Sequence, residues 1–124
     1  MKVEFNNREP IYLQIIEMIK LSIVTKELSG GDKLPSVREM ADRIKVNPNT
    51  IQRVYQELER ENITFTQRGM GTFITDDKEK RLSMKKDMAQ TLIKSFIEGM
   101  KKLDFNDEEI LSIIKDHIKD CGGK

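Results

Sequence analysis

Between Leu34 and Ile74 the chain sets out, in order, a capped short helix, a turn, a second capped helix with a polar outer stripe, and a hairpin closed by Arg68-Gly69-Met70-Gly71. In Pro35-Ser36-Val37-Arg38-Glu39 a serine precedes an apolar-periodic run, Val37, Met40, Ala41 and Ile44, and Glu39 stands three residues on. That spacing predicts a capping box with Ser36 as N-cap. Lys45-Val46-Asn47-Pro48 then breaks the pattern, because the residue before a proline avoids helical dihedrals. The chain restarts as a helix with Asn47 as N-cap and Pro48 at the first helical position, where a missing N–H costs nothing. So short a turn between two helices suits a helix-turn-helix.

On a wheel of 100° per residue, Ile51, Val54, Tyr55 and Leu58 of the second helix fall in one arc and face a core. Asn49, Arg53, Gln56 and Arg60 stack on the opposite side, a stripe with no acid in it, while Glu57, Glu59 and Glu61 lie off it or near its far end. Asn, Gln and Arg can make bidentate contacts to adenine or guanine edges in the major groove, and recognition helices offer their N-terminal residues to the bases. Asn49 and Arg53 are the foremost candidates for base contact, with Thr50 and Gln52 flanking them. A polar stripe alone is also what any solvated helix face looks like, so it does not decide the matter.

The next segment narrows the choice. Asn62 reads as a left-handed helix stop. Ile63–Gln67 and Thr72–Thr75 then alternate as half-buried strands about a loop with glycines at 69 and 71, with Phe65 and Phe73 expected on the core face. Arg68 at the tip is a cation placed where a wing meets the minor groove or nearby phosphates, and the glycines allow close backbone approach. Two short helices followed directly by such a hairpin are the signature of a winged helix-turn-helix, whose partner would be double-stranded DNA.

Four blocks in the right order carry a more specific likeness: Pro10-Ile11-Tyr12-Leu13-Gln14; Lys33 to Ala41; Val46 to Leu58; and Arg68-Gly69-Met70-Gly71-Thr72-Phe73-Ile74. Over about residues 8 to 75 the chain resembles the GntR family of bacterial transcription regulators. The resemblance implies that Arg38 contacts the DNA backbone or a base, and likewise Asn47, Asn49, Thr50 and Gln52 in the recognition helix and Arg68 and Gly69 in the wing. Pro48 and Gln52 stand where some members carry arginines, so those members' operators do not transfer. Asn62 replaces a glycine common in the family, a mild change because Asn tolerates the left-handed region. With Lys33 and the N-cap Ser36, the candidate DNA-binding set is Lys33, Ser36, Arg38, Asn47, Asn49, Thr50, Gln52, Arg53, Arg68 and Gly69.

Charge demands care with that set. The chain is near neutral at +1, and residues 1 to 77 hold 11 Lys and Arg against 12 Asp and Glu, a formal −1 where a strongly basic domain would have been simpler evidence. Affinity must come from placement: Lys33, Arg38, Lys45, Arg53 and Arg68 sharing a face, with Glu4, Glu9, Glu17 and Glu27 elsewhere. Few phosphate contacts per subunit argue for a dimer.

The flanking segments fit. Pro10 opens a supporting helix with Ile11, Ile15, Ile16, Ile19 and Ile23 on one side, ended by Ser29-Gly30-Gly31; Tyr12 reads as a packed aromatic with a wet hydroxyl, and Gln14 is undecided. Asp76 to Lys86 reads as a charged connector entering a helix, its Lys78, Lys80, Arg81, Lys85 and Lys86 as a solvated helix start. From Leu82 onward Met88, Ala89, Leu92, Ile93, Phe96, Ile97, Met100 and Leu103 recur at helical spacing. Asn106 with Glu109 starts a last helix, Glu108 to Lys119, whose Ile110, Leu111, Ile113, Ile114 and Ile118 also need burial. Two such helices cannot cover themselves, so a symmetric dimer is expected with Leu92, Phe96, Ile97 and Met100 near the axis. The turn at 104 to 106 leaves the run too short for a heptad coiled coil.

The expected architecture is therefore mainly α with a small β-hairpin: a winged helix-turn-helix DNA-binding domain over 1–77 and a short two-helix dimerisation appendage over 78–124. A tail this short resembles the YtrA-like subfamily rather than members with large effector-binding or aminotransferase-like domains, and that resemblance implies an operon of ABC transporters as target. No run reaches membrane-spanning length and no secretory signal opens the chain, so a cytoplasmic location is expected. The lone Cys121 forms no intrachain disulfide and lies in a Cys-Gly-Gly-Lys tail. His117, the single histidine, has no triad partners, and neither metal-ligand spacing nor a phosphate loop is present; no catalytic residue, metal or cofactor is assigned. The expected function is a homodimeric, sequence-specific regulator, a repressor acting on an inverted repeat. A winged-helix protein-interaction module is the alternative, and a small-molecule effector between head and tail is compatible with the first reading.

Overall fold

The computed structural model describes residues 4–121. Its elements run α1 (Ile11–Val24), α2 (Val37–Ile44), α3 (Pro48–Arg60), β1 (Thr64–Gln67), β2 (Gly71–Ile74), α4 (Lys78–Lys102) and α5 (Asp107–Cys121). The fold is a winged helix-turn-helix followed by two helices. The chain forms two compact units, Met1–Lys85 and Lys86–Lys124.

In the first unit α3 is the central element, packing against α1, α2 and β1. Ile15, Ile19, Leu34, Met40, Ile51, Val54, Leu58 and Ile74 are fully buried around it. The helices begin where local hydrogen bonding dictates. Ser36 Oγ accepts from the Glu39 N–H at 3.1 Å and Glu39 Oε1 accepts from the Ser36 N–H at 3.0 Å, so the capping box is complete. Asn47 Oδ1 accepts from the Asn49 N–H at 2.8 Å, with Pro48 opening α3. Asn62 ends that helix in the left-handed region at φ 62°.

Three features differ from the sequence expectations. Phe65 and Phe73 are not on the core face: they pair across the hairpin, stacked at 5.7 Å and half-buried, whereas Thr64 and Ile74, paired on the other face, are buried. A third extended segment runs beside β2. The Asp32 carbonyl accepts from the Ile74 N–H and the Leu34 N–H donates to the Thr72 carbonyl, both at 2.8 Å, and Lys33 bridges to Phe73. Along the buried side lie Leu34, Thr64 and Ile74, and the aromatic pair lies on the opposite face. Second, Ile11 is 45% exposed although Ile15, Ile16, Ile19 and Ile23 are buried; it sits in the uncovered first turn. Third, α1 stops at Val24, before Ser29-Gly30-Gly31, where the Thr25 hydroxyl back-bonds to the Leu21 carbonyl at 2.8 Å and Lys26 turns left-handed at φ 65°.

The expected connector is helical from Lys78, its first N–H groups satisfied by Asp77 Oδ1. Its first turns belong to the first unit, because Met84 is buried and the Arg81 guanidinium donates to the Thr75 carbonyl at 2.9 Å. A Cβ on Gly30 would collide with that guanidinium, which gives the glycine a packing role. Arg81 is thus half-buried and engaged rather than part of a solvated helix start.

In the second unit the turn at Asp104, left-handed at φ 68°, leads to a reciprocal cap: Asn106 Oδ1 accepts from the Glu109 N–H and Glu109 Oε1 from the Asn106 N–H, at 2.8 and 3.0 Å. Ile110 is buried, but Leu92, Ile93, Phe96, Leu103, Leu111, Ile113 and Ile118 are exposed. Cys121 is the exposed last residue of α5, and the rest of its tail lies outside the described residues.

Candidate nucleic-acid interface

The candidate surface starts from α3, whose inner side is consumed by Ile51, Val54, Tyr55 and Leu58. Its other side is consequently held outward. Asn49, Arg53, Gln56 and Arg60 are exposed, as the wheel predicts; of the flanking residues Gln52 is exposed and Thr50 half-buried. Asn47 is exposed too, with its side-chain oxygen occupied as the N-cap.

Two side chains fix this helix relative to what precedes it. The Tyr55 hydroxyl donates to the Pro35 carbonyl at 2.7 Å, tying the middle of α3 to the residue before the α2 cap. Burial pushes the Tyr55 phenol well above its ordinary value, with Arg43 lowering it and Glu39 raising it by smaller amounts. At the far end Lys20 of α1 meets Glu61 at 3.5 Å.

Between the start of α2 and the hairpin lies an open cleft of about 300 Å³, of mixed polar and apolar lining, formed by Lys33, Leu34, Pro35, Ser36, Val37, Glu39, Tyr55, Gly71 and Thr72. The predicted Lys33 and Ser36 meet here. The Lys33 stem lies over Gly71, where a Cβ would come within 2.7 Å of Lys33 Cε, and φ 124° at Gly71 also favours glycine. The Glu39 carboxyl is held below the usual range, first by its hydrogen bond from the Ser36 N–H.

The wing is fastened to the recognition helix by Glu59, whose Oε1 accepts from the Thr66 N–H at 3.0 Å. Its tip carries exposed Arg68 and Gly69, the glycine at φ 79° with nothing within 4 Å of where a Cβ would stand. Arg38 is exposed on the first turn of α2. Among the described residues Lys33, Arg38, Arg53 and Arg68 form no salt bridge. Arg60 differs: it grips Glu57 at 2.6 Å, an ion pair that lowers the glutamate's affinity for protons.

Comparison with known proteins decides what carries this geometry. Residues 11–74 match the family model described as bacterial regulatory proteins, gntR family. The chain belongs to the GntR family. It is a DNA-binding transcription regulator of that family, not an enzyme. Over 112 residues it is 49% identical to the uncharacterised HTH-type transcriptional regulator YhcF of Bacillus subtilis strain 168, covering 90% of this chain and 93% of the relative. It is 41% identical to the HTH-type transcriptional repressor YtrA of the same organism over 97 residues, 74% of this chain and 75% of the relative. A solved GntR family regulator from Listeria monocytogenes superposes with a TM-score of 0.84 at 45% identity, covering 90% of this chain and 98% of that one. These relatives support the YtrA-like subfamily.

One participant escaped the sequence reading. The Arg53 guanidinium carbon sits 3.6 Å from the centre of the Tyr12 ring, at the start of α1. The block Pro10 to Gln14 marked that tyrosine without saying what it touches. Gln14 is also accounted for: it accepts from the Asn6 N–H at 3.0 Å and donates to the Asn6 and Glu9 carbonyls at 3.0 and 2.8 Å, pinning the segment before α1.

Proposed function

We propose that the protein is a homodimeric repressor that reads an inverted repeat in double-stranded DNA, each recognition helix entering a major groove with half-sites about 34 Å apart. The observation that carries this reading is the exposed, acid-free N-terminal half of α3, where Asn49, Gln52 and Arg53 are held outward. Asn49 and Arg53 read base edges; Lys33, Ser36, Arg38, Asn47, Thr50 and Gln52 position the helix on backbone and bases; Arg68 and Gly69 bring the wing to the adjacent groove. Residues 1–77 serve as the DNA-binding domain and 78–124 as the dimerisation segment. Dimerisation is supported by the apolar side chains exposed on α4 and α5, Leu92 at 73% and Phe96 at 43% among them, with Ile97 and Met100 half-covered. Burying each such side chain contributes about 1.5–3 kcal/mol. Repression is the role that the name of the relative YtrA supports. The subfamily resemblance makes a transporter operon the target, and no described helix is long and apolar enough to cross a membrane, in keeping with action in the cytoplasm.

The test is an electrophoretic shift with the DNA upstream of the protein's own gene, run against non-specific competitor and across a salt series. Arg53→Ala should cost about 1 to 3 kcal/mol on the specific site through loss of a base contact. Lys33→Ala should weaken all DNA alike and lower the salt slope by about 1. No competitor-resistant complex, or undiminished discrimination in Arg53→Ala, overturns the reading.

A further inference from the structure

We infer that Tyr12 is a positioning residue for DNA reading: its ring presets the Arg53 side chain so that the guanidinium edge is available to a base. The inference rests on the proposed role of Arg53 and names the element that makes it an effective reader.

An arginine on an exposed helix face ordinarily samples many rotamers, and ordering it on binding costs affinity. Here the guanidinium carbon is 3.6 Å from the ring centroid, well inside the range of a cation–π contact. Such stacking uses a face of the planar guanidinium. All five N–H donors lie in its plane, so the fork that matches a guanine edge is left unspent. Arg53 remains exposed, and no hydrogen bond or salt bridge to another described residue occupies it.

The rival partner on the same helix is engaged elsewhere, so that only its charge, and no hydrogen bond, reaches Arg53. Glu57 stands one turn further along at i+4, a spacing at which opposite charges attract. Its carboxylate instead binds Arg60, at 2.6 Å to one nitrogen and 3.3 Å to another. The platform itself is held still. Pro10 sets the N-cap backbone at φ −55°, and the three Gln14 hydrogen bonds fix the approach to the helix one turn around. Tyr12 is half-buried and its hydroxyl makes no hydrogen bond to a described residue, so what it offers Arg53 is the ring.

The test is a double-mutant cycle on full-length protein, using as probe the duplex that the wild type selects from a random pool, with scrambled duplex as the non-specific reference. Tyr12→Leu should weaken specific binding about two- to fivefold, as an exposed cation–π pair predicts. It should leave scrambled-duplex binding unchanged, have no effect in an Arg53→Ala background, and be rescued by Tyr12→Phe. An equal loss in both backgrounds would mean that Tyr12 merely supports the fold and would overturn the inference. So would specific binding that drops in Arg53→Ala but not in Tyr12→Leu. If Arg53→Ala itself leaves discrimination intact, the base-reading assignment fails first, a result the cycle separates from failure of Tyr12. Nuclear magnetic resonance of the free protein gives a reading that needs no folded leucine variant. The Arg53 side-chain protons should be displaced upfield by the ring current, and Arg53 shifts at ordinary exposed-arginine positions would overturn the stacking.

Discussion

Tyr55→Phe isolates the bond that sets the angle between the two helices of the motif. The substitution removes one oxygen and keeps the buried ring, so packing around Ile51, Val54 and Leu58 should survive. What is lost is the 2.7 Å bond to the Pro35 carbonyl. A net hydrogen bond contributes about 0.5–1.5 kcal/mol, and a carbonyl left buried and unsatisfied costs more. Pro35 is only half-buried and lines an open cleft, so water can replace the phenol. A loss of about 1 kcal/mol follows, which for a unit this size lowers Tm by about 4–8 °C. The alkaline limb gives a second reading. Burial raises the folded phenol above the ordinary value, so the folded state holds its proton where the unfolded chain begins to release it, near pH 10. The stabilisation is therefore complete below pH 10 and is lost as pH climbs from there toward the folded value. Its slope is at most about 1.4 kcal/mol per pH unit, less because the cleft admits solvent. Urea melts of wild type and variant should differ at pH 8 and converge between pH 10 and 11. Identical stabilities at pH 8, or a gap that stays constant to pH 11, would refute the account of Tyr55.

Two further substitutions probe other parts of the chain. Thr64 Oγ1 is buried without a hydrogen-bond partner among the described residues, so Thr64→Val should raise stability by about 1 kcal/mol, seen as a higher urea midpoint at unchanged m-value; a lower midpoint would show that the hydroxyl is satisfied. Phe96→Asp places a carboxylate in the exposed apolar face of α4 and should give a monomer at micromolar concentration by sedimentation, with helix content kept and operator affinity lost; an unchanged dimer would place the interface elsewhere.

Local signals were legible and long-range ones were not. The caps at Ser36, Asn47 and Asn106 each join residues two or three apart, so composition at fixed offsets suffices to find them. The outer stripe of α3 was legible for the same reason, since a wheel needs only one helix. Alternation in the hairpin gave two faces but not which turned inward. The run of Asp32–Leu34 alongside β2, which brings Leu34 to the buried face, is likewise a pairing with no sequence mark. Arg81 was misplaced because its partners are a backbone carbonyl and the empty space above Gly30. The Tyr12–Arg53 stack joins two helices, and nothing in either helix alone foretells it.

The near-neutral charge of the head leaves DNA binding to the placement of its charges, and several of its acids have structural work. Glu39 and Asp77 cap helices, Asp32 accepts from the Ser29 N–H, and Glu59 accepts from the wing. Glu57 and Glu61 hold Arg60 and Lys20. Lys33, Arg38, Arg53 and Arg68 have no such engagement among the described residues. A formal sum counts every charge alike, yet a phosphate a few ångströms away meets mainly the charges nearest it, because salt screens those more than about 8–10 Å off. What matters for DNA is thus the handful of cations beside the recognition helix and wing. Counterion release from so few contacts gives one chain a shallow salt dependence, which the proposed homodimer would double. On the proposed homodimer, the exposed face of α4 and the sparse cations of the head would act together: a head too weakly charged to hold arbitrary DNA alone would gain selectivity by binding in pairs.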